Sequence, residues 1–302
     1  MKLPLPISQI KRAKIICLLI VYCLLPTVYS FGQDSTKAAP EPVTSTFRGP
    51  QLINMPTNEI IDGLGMNIQH RFGQIVNTYI LYDFFGMDLS ANIRLALAYP
   101  IIKDRLQVEI GRTKSGKNVD MEIKYQVLRQ TEKNEIPVSV ALYANSSVST
   151  EKFPKVPAYA FYTDSVTPFE YKFSHRLNYN YQLVIARKFT KKFSFQVAPV
   201  LVYKTLAVPG KDNQTIALQS GGRYKFSKKG AVLMEYGYAF NNRDTATINP
   251  LSLAVEFSTA GHVFQIVLSS TNHLLYKDIY TTQNADYSKG EFYLGFNIRR
   301  FW

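Results

Sequence analysis

From Leu64 onward, apolar and polar side chains alternate with a period of two. A β-strand turns successive side chains to opposite faces, so this period predicts strands that each divide two environments. Twelve such runs can be marked along the chain. The second sets Ile93, Leu95, Leu97 and Tyr99 against Asn92, Arg94, Ala96 and Ala98. The fourth sets Val119, Met121, Ile123, Tyr125 and Val127 against Asp120, Glu122, Lys124 and Gln126. The last sets Phe292, Leu294, Phe296 and Ile298 against Tyr293, Gly295, Asn297 and Arg299. The fifth, Pro137 to Ser147, is weaker, and Pro199 is an oddity in the seventh. In the eighth, Gly221 and Gly222 read as a bend.

Alternation alone also fits a soluble sandwich or a lipocalin-like barrel. Three features favour a membrane. Connector lengths alternate, with short links such as Thr190 to Lys192 and Ser227 to Gly230 between long ones such as Ser149 to Lys172 and Thr271 to Lys289. Short periplasmic turns and long external loops give that rhythm. Only Gln130 to Ile136 is long for a periplasmic turn. Aromatic residues recur near strand ends, among them Tyr99, Tyr125, Phe193, Tyr203 and Phe257, as an interfacial girdle requires. Finally, the chain ends on Trp302 with Leu294, Phe296 and Ile298 at matching parity, a pattern like the signal read by barrel-assembly machinery. The predicted fold is all-β: a transmembrane antiparallel up-and-down barrel of about twelve strands.

In this register, charges share the inward parity. Arg71, Arg94, Lys124, Arg223, Lys225 and Arg299 face Glu109, Asp120, Glu122, Glu235 and Glu256. An Arg or Lys facing lipid at mid-bilayer costs about 2–4 kcal/mol, so a common face for these groups supports the assignment. Their near balance predicts a cross-linked lumen, hence a narrow channel or a closed structural barrel.

Residues 1–32 read as a signal peptide: Lys11, Arg12 and Lys14 precede the apolar run Ile15 to Val28, and small Ser30 and Gly32 suit a cut before Gln33. Residues 33–60 read as a flexible periplasmic lead-in, rich in Pro, Ser and Thr, and 61–302 as the barrel. Both cysteines, Cys17 and Cys23, fall in the signal, so the processed chain would have no disulfide and no Cys-based chemistry. The net charge of +13 includes four basic signal residues, and the remaining 31 basic residues are scattered against 22 acidic ones. Without a basic stripe, nucleic acid is not an expected partner.

No cofactor or metal motif appears, and the four histidines, His70, His175, His262 and His273, lack metal-ligand spacing. A barrel can carry a catalytic Ser and His on its outer wall, as one outer-membrane phospholipase does. Here His262 has outward parity but Ser252 on the neighbouring strand has inward parity. A membrane-interface histidine is the expected role. The aromatic segment Gln74 to Ser90 reads as a rim loop, with a lumen plug as the alternative.

Several segments resemble a Bacteroidetes barrel family catalogued as domain of unknown function 5777. They are QHRFG from Gln69, ANIRLALAY from Ala91, YQLVIARKF from Tyr181, GGRYKFSKKG from Gly221, PLSLAVEF from Pro250, GHVFQIVLSS from Gly261 and the ending EFYLGFNIRRFW. The resemblance implies fold and location and carries no functional residue. The expectation is a non-enzymatic outer-membrane barrel in contact with lipid, passing a small solute or serving a periplasmic partner. The alternatives are an outer-membrane lipid hydrolase and a soluble periplasmic barrel binding an apolar ligand.

Overall fold

The computed structural model describes residues 40–76, 79–157, 160–162, 165–207, 211–241 and 247–302. The signal peptide and both cysteines lie outside them. Twelve antiparallel strands close into one barrel. They are β1 (Gly65–Gln74), β2 (Asn92–Ile102), β3 (Leu106–Thr113), β4 (Asn118–Leu128), β5 (Ser139–Ser149) and β6 (Leu177–Lys188). There follow β7 (Phe193–Lys204), β8 (Gln214–Lys225), β9 (Gly230–Ala239), β10 (Leu251–Ser258), β11 (His262–Ser269) and β12 (Tyr293–Phe301). A four-residue helix, α1 (Tyr276–Ile279), sits in the last long loop. Each strand pairs with its sequence neighbour, and β12 pairs with β1 from Gly65 opposite Phe301 to Arg71 opposite Gly295. Closure leaves no sheet edge, which a strand in hydrocarbon cannot tolerate unpaired.

The parity is that of a water-soluble protein reversed. Leu95, Leu97, Ile110, Met121, Met234 and Ile266 are exposed, between 48% and 60%, while Arg94, Arg71 and Arg299 are at most 1% exposed. Only a barrel bathed in hydrocarbon makes that arrangement favourable. Pro199 points outward and has no N–H to donate, so the β6–β7 ladder lapses opposite Leu183 and Val184. It stays in register with Leu218 of β8.

The lead-in departs from expectation. Residues 43–61 are not a free periplasmic tether; they run inside the barrel, with Leu52, Ile53 and Met55 at 0–1% exposure. The long turn after β4 receives them: Val43 N donates to Gln130 O at 2.8 Å, and Glu132 N donates to Glu41 O at 3.0 Å. The length of that turn thus serves the incoming segment.

Candidate functional site

The site is the lumen and what fills it. Residues 50–57 form a tight hairpin, with Thr57 N bonded to Pro50 O and Leu52 N to Met55 O, both at 2.9 Å. The hydroxyl of Thr57 donates to Gly49 O at 2.6 Å. A two-stranded hairpin this short is unstable alone in water, so the wall must hold it. It does so by bonding the hairpin's backbone.

Glu235 on β9 takes the tip. Its Oε1 accepts from the N–H groups of Ile53, Asn54 and Met55 at 2.6, 3.0 and 3.0 Å. The tip carbonyls are met in turn. Arg299 and Gln265 donate to Leu52 O at 3.1 and 2.8 Å, and Asn297 donates to Ile53 O at 3.0 Å. Lys124 donates to Pro50 O and Glu59 O at 2.8 and 2.9 Å, and Gln196 to Pro56 O at 2.9 Å. The Asn54 side chain reaches Ser252 on one side and receives Arg71 on the other, at 3.0 and 2.9 Å. Further down, Glu59 accepts from Thr46 and Phe47 N–H at 2.7 and 3.1 Å. Burial pushes its carboxyl above the ordinary range against those two bonds.

Apolar contacts complete the seat. Leu52, Ile53 and Met55 pack among Ala141, Val184, Ala186, Ala198, Ala231 and Ala254. These inward alanines leave the width that the plug takes up. Gly221 was expected to bend the strand; its role is clearance. A Cβ there would lie 2.5 Å from Leu52 Cδ2 and 2.7 Å from Met55 Sδ.

A second element closes the lumen from the long-loop end. Tyr276, Ile279 and Tyr280 of α1 and its flank bury against Tyr143, Val200, Val202, Ala217 and Ala239. The Tyr276 hydroxyl donates to Asn54 O at 2.6 Å, so loop and plug tip touch. Asp278, held by Lys277 and Lys204 at 3.0 and 3.5 Å, pins the loop. Burial alone would raise its carboxyl; Lys277, Lys204 and His273 together hold it below the ordinary value. The described part of the aromatic segment 74–90 stays outside, with Tyr79, Leu81, Tyr82 and Phe84 exposed.

All nine lumen candidates are buried: Arg71, Arg94, Glu109, Glu122, Lys124, Arg223, Glu235, Glu256 and Arg299. They form three groups. Lys124, Glu235, Arg71 and Arg299 hold the plug region. Arg94 gathers Glu109, Asp120 and Glu122 at 2.8, 2.6 and 2.8 Å. Arg223 pairs with Glu256 at 2.6 Å. Charge counting missed the neutral partners Gln196, Gln265, Asn297, Asn54 and Tyr276. Their signal was available: Gln recurs at inward parity at 69, 107, 126, 182, 196, 219 and 265.

On the outer wall, Leu294, Phe296 and Ile298 lie half-buried on β12 and Trp302 is exposed at its end. His262 meets the Arg300 guanidinium at 3.0 Å and stacks on Phe264. Ser252 faces inward, bonded to Ser269 at 2.8 Å, so no Ser–His pair forms between these two.

Outward apolar parity, a polar lumen and full closure define a membrane-spanning β-barrel, here plugged by its own N-terminal segment. The chain belongs to the family DUF5777, described as a membrane bound beta barrel domain, whose profile matches residues 47–302 and so includes the hairpin 50–57. Comparison with curated proteins gives no match. Among solved structures, the NanC porin is 8% identical over 80% of this chain and 100% of its own, with a TM-score of 0.50. Outer membrane phospholipase A from Escherichia coli is 10% identical over 80% and 90%, with a TM-score of 0.44. A triple mutant of Rhodopseudomonas blastica porin is 8% identical over 70% and 55%, with a TM-score of 0.31. The NanC likeness shows a shared barrel fold.

Proposed function

We propose that this chain is a non-enzymatic outer-membrane channel for small polar solutes, closed at rest by residues 43–61. The short turns, Glu41 and Trp302 face the periplasm in this reading. Leu294, Phe296, Ile298 and Trp302 then form the strand that assembly machinery recognises. The supporting observation is how the plug is held. Its backbone is bonded by Arg, Lys, Glu, Gln and Asn side chains of the wall, groups that water can hydrate in the plug's place. Withdrawal of the plug, with the α1 loop drawn aside, leaves a lumen that water and a polar solute wet readily. A periplasmic partner that grips the chain before Val43 would draw on the segment directly.

The test is planar-bilayer conductance. The intact chain is expected to show no steady current. A chain lacking residues 40–60, with the closing loop residues 274–282 also replaced by a Gly-Ser linker, is expected to conduct steadily. Gly221→Leu, which crowds Leu52 and Met55 while leaving the plug sequence intact, is expected to give brief openings. Overpacking of this kind costs about 1–3 kcal/mol. A folded barrel freed of both closures that stays silent would point to a structural role instead.

A further inference from the structure

Where the plug segment enters, it and the wall enclose a pocket of about 440 Å³. Ser45 and Arg48 contribute from the segment, and Lys225, Lys228, Lys229 and Ser258 from the barrel. The charge here is one-sided. Arg223 at the pocket's inner edge is paired with Glu256 at 2.6 Å. Arg48, Lys225, Lys228 and Lys229 have no carboxylate partner among the described residues. Lys225 faces the like charges of Arg223, Lys188 and Arg48, with Glu256 as its one opposing charge and that carboxylate already held by Arg223.

The geometry is built. Arg48 Nη2 donates to Thr259 O at 2.8 Å, which ties the segment across the pocket to the β10–β11 turn. The turn carrying Lys228 and Lys229 is fixed by Ser227 Oγ, which accepts from Gly230 N at 2.8 Å. Four cations that line one concavity together set up a positive field that draws an anion into it. A phosphoryl group, singly charged as a diester headgroup and up to doubly charged as free phosphate, has several acceptor oxygens and satisfies ammonium and guanidinium donors together.

We propose that this pocket is a binding site for a phosphoryl group. Its source is either a phospholipid headgroup of the adjoining leaflet or a free phosphate. Because Arg48 travels with the plug, the complete site exists only in the closed barrel. Bound phosphoryl therefore favours closure. The site itself stands on the pocket's cations and does not depend on the channel reading.

The full chain, in detergent at low ionic strength, is titrated calorimetrically with inorganic phosphate. Binding is expected, and Lys228→Ala with Lys229→Ala is expected to weaken it roughly tenfold or more, since charged hydrogen bonds are lost. Arg48→Ala weakens it as well. Lys133→Ala, an exposed charge on another turn at the same end, leaves it unchanged. The titration is then repeated in nanodiscs of phosphatidylcholine with and without phosphatidylglycerol. Suppression of phosphate binding by the anionic lipid identifies a headgroup as the source; equal binding in both identifies free phosphate. Absence of phosphate binding in detergent, or binding untouched by the double substitution, overturns the site.

Discussion

Glu235→Ala is expected to release the plug while leaving the barrel closed. The substitution strips one acceptor from three buried N–H groups, those of Ile53, Asn54 and Met55. At about 1–3 kcal/mol for each buried donor left alone, the plugged state loses about 3 kcal/mol or more. That is about a hundredfold or more in its equilibrium with the open state. Hydrogen exchange at residues 51–57 should accelerate by about that factor, while the strands keep their protection. Glu235→Gln retains one acceptor oxygen and should show a much smaller change. Equal protection of the hairpin in the alanine variant would mean that the wall does not hold it through Glu235.

Arg94→Leu is expected to damage the barrel itself. The guanidinium forks onto both oxygens of Asp120, at 3.2 and 2.6 Å, and also bonds Glu109 and Glu122 at 2.8 Å each. Breaking a buried ion pair costs about 3–5 kcal/mol because the partner is left charged and alone. Here three carboxyls lose their counter-charge, so the cost lies at or above that range. The denaturant midpoint of the refolded barrel should fall accordingly. Adding Asp120→Asn and Glu122→Gln should restore most of it. Arg94→Lys should sit between, since an ammonium cannot fork onto Asp120. A midpoint unmoved by Arg94→Leu would mean that the cluster is solvated and carries little of the stability.

The wall was legible in the sequence and the plug was not, for one reason. A strand in a membrane barrel announces itself through its own alternation. Leu95 and Leu97 against Arg94 and Ala96 fix both the face and the neighbour. The plug's structure comes from side chains that lie far away in sequence, such as Glu235, Gln265 and Asn297, bonding to its backbone. Nothing periodic in residues 43–61 records those bonds, so its Pro, Ser and Thr content read as a tether. Three hints were present. Leu52, Ile53 and Met55 are apolar in a polar stretch. The turn Gln130 to Ile136 is longer than a bare turn needs. Inward positions on β5 to β10 hold small residues, among them Ala141, Ala186, Ala198 and Gly221. Together they mark a lumen kept wide for something that fills it.

Disulfide trapping between Asn54 and Ser252 tests most directly that this segment lies inside a membrane barrel. The two side chains are 3.0 Å apart, from Nδ2 to Oγ. A chain begun at Gln33 holds no cysteine of its own, so it can be refolded into lipid vesicles with Asn54→Cys and Ser252→Cys and then oxidised. The account predicts near-complete intrachain linkage there, and none when Cys replaces Leu253, whose side chain faces the lipid. No linkage at Ser252 in a folded barrel, or equal linkage at both positions, would contradict it.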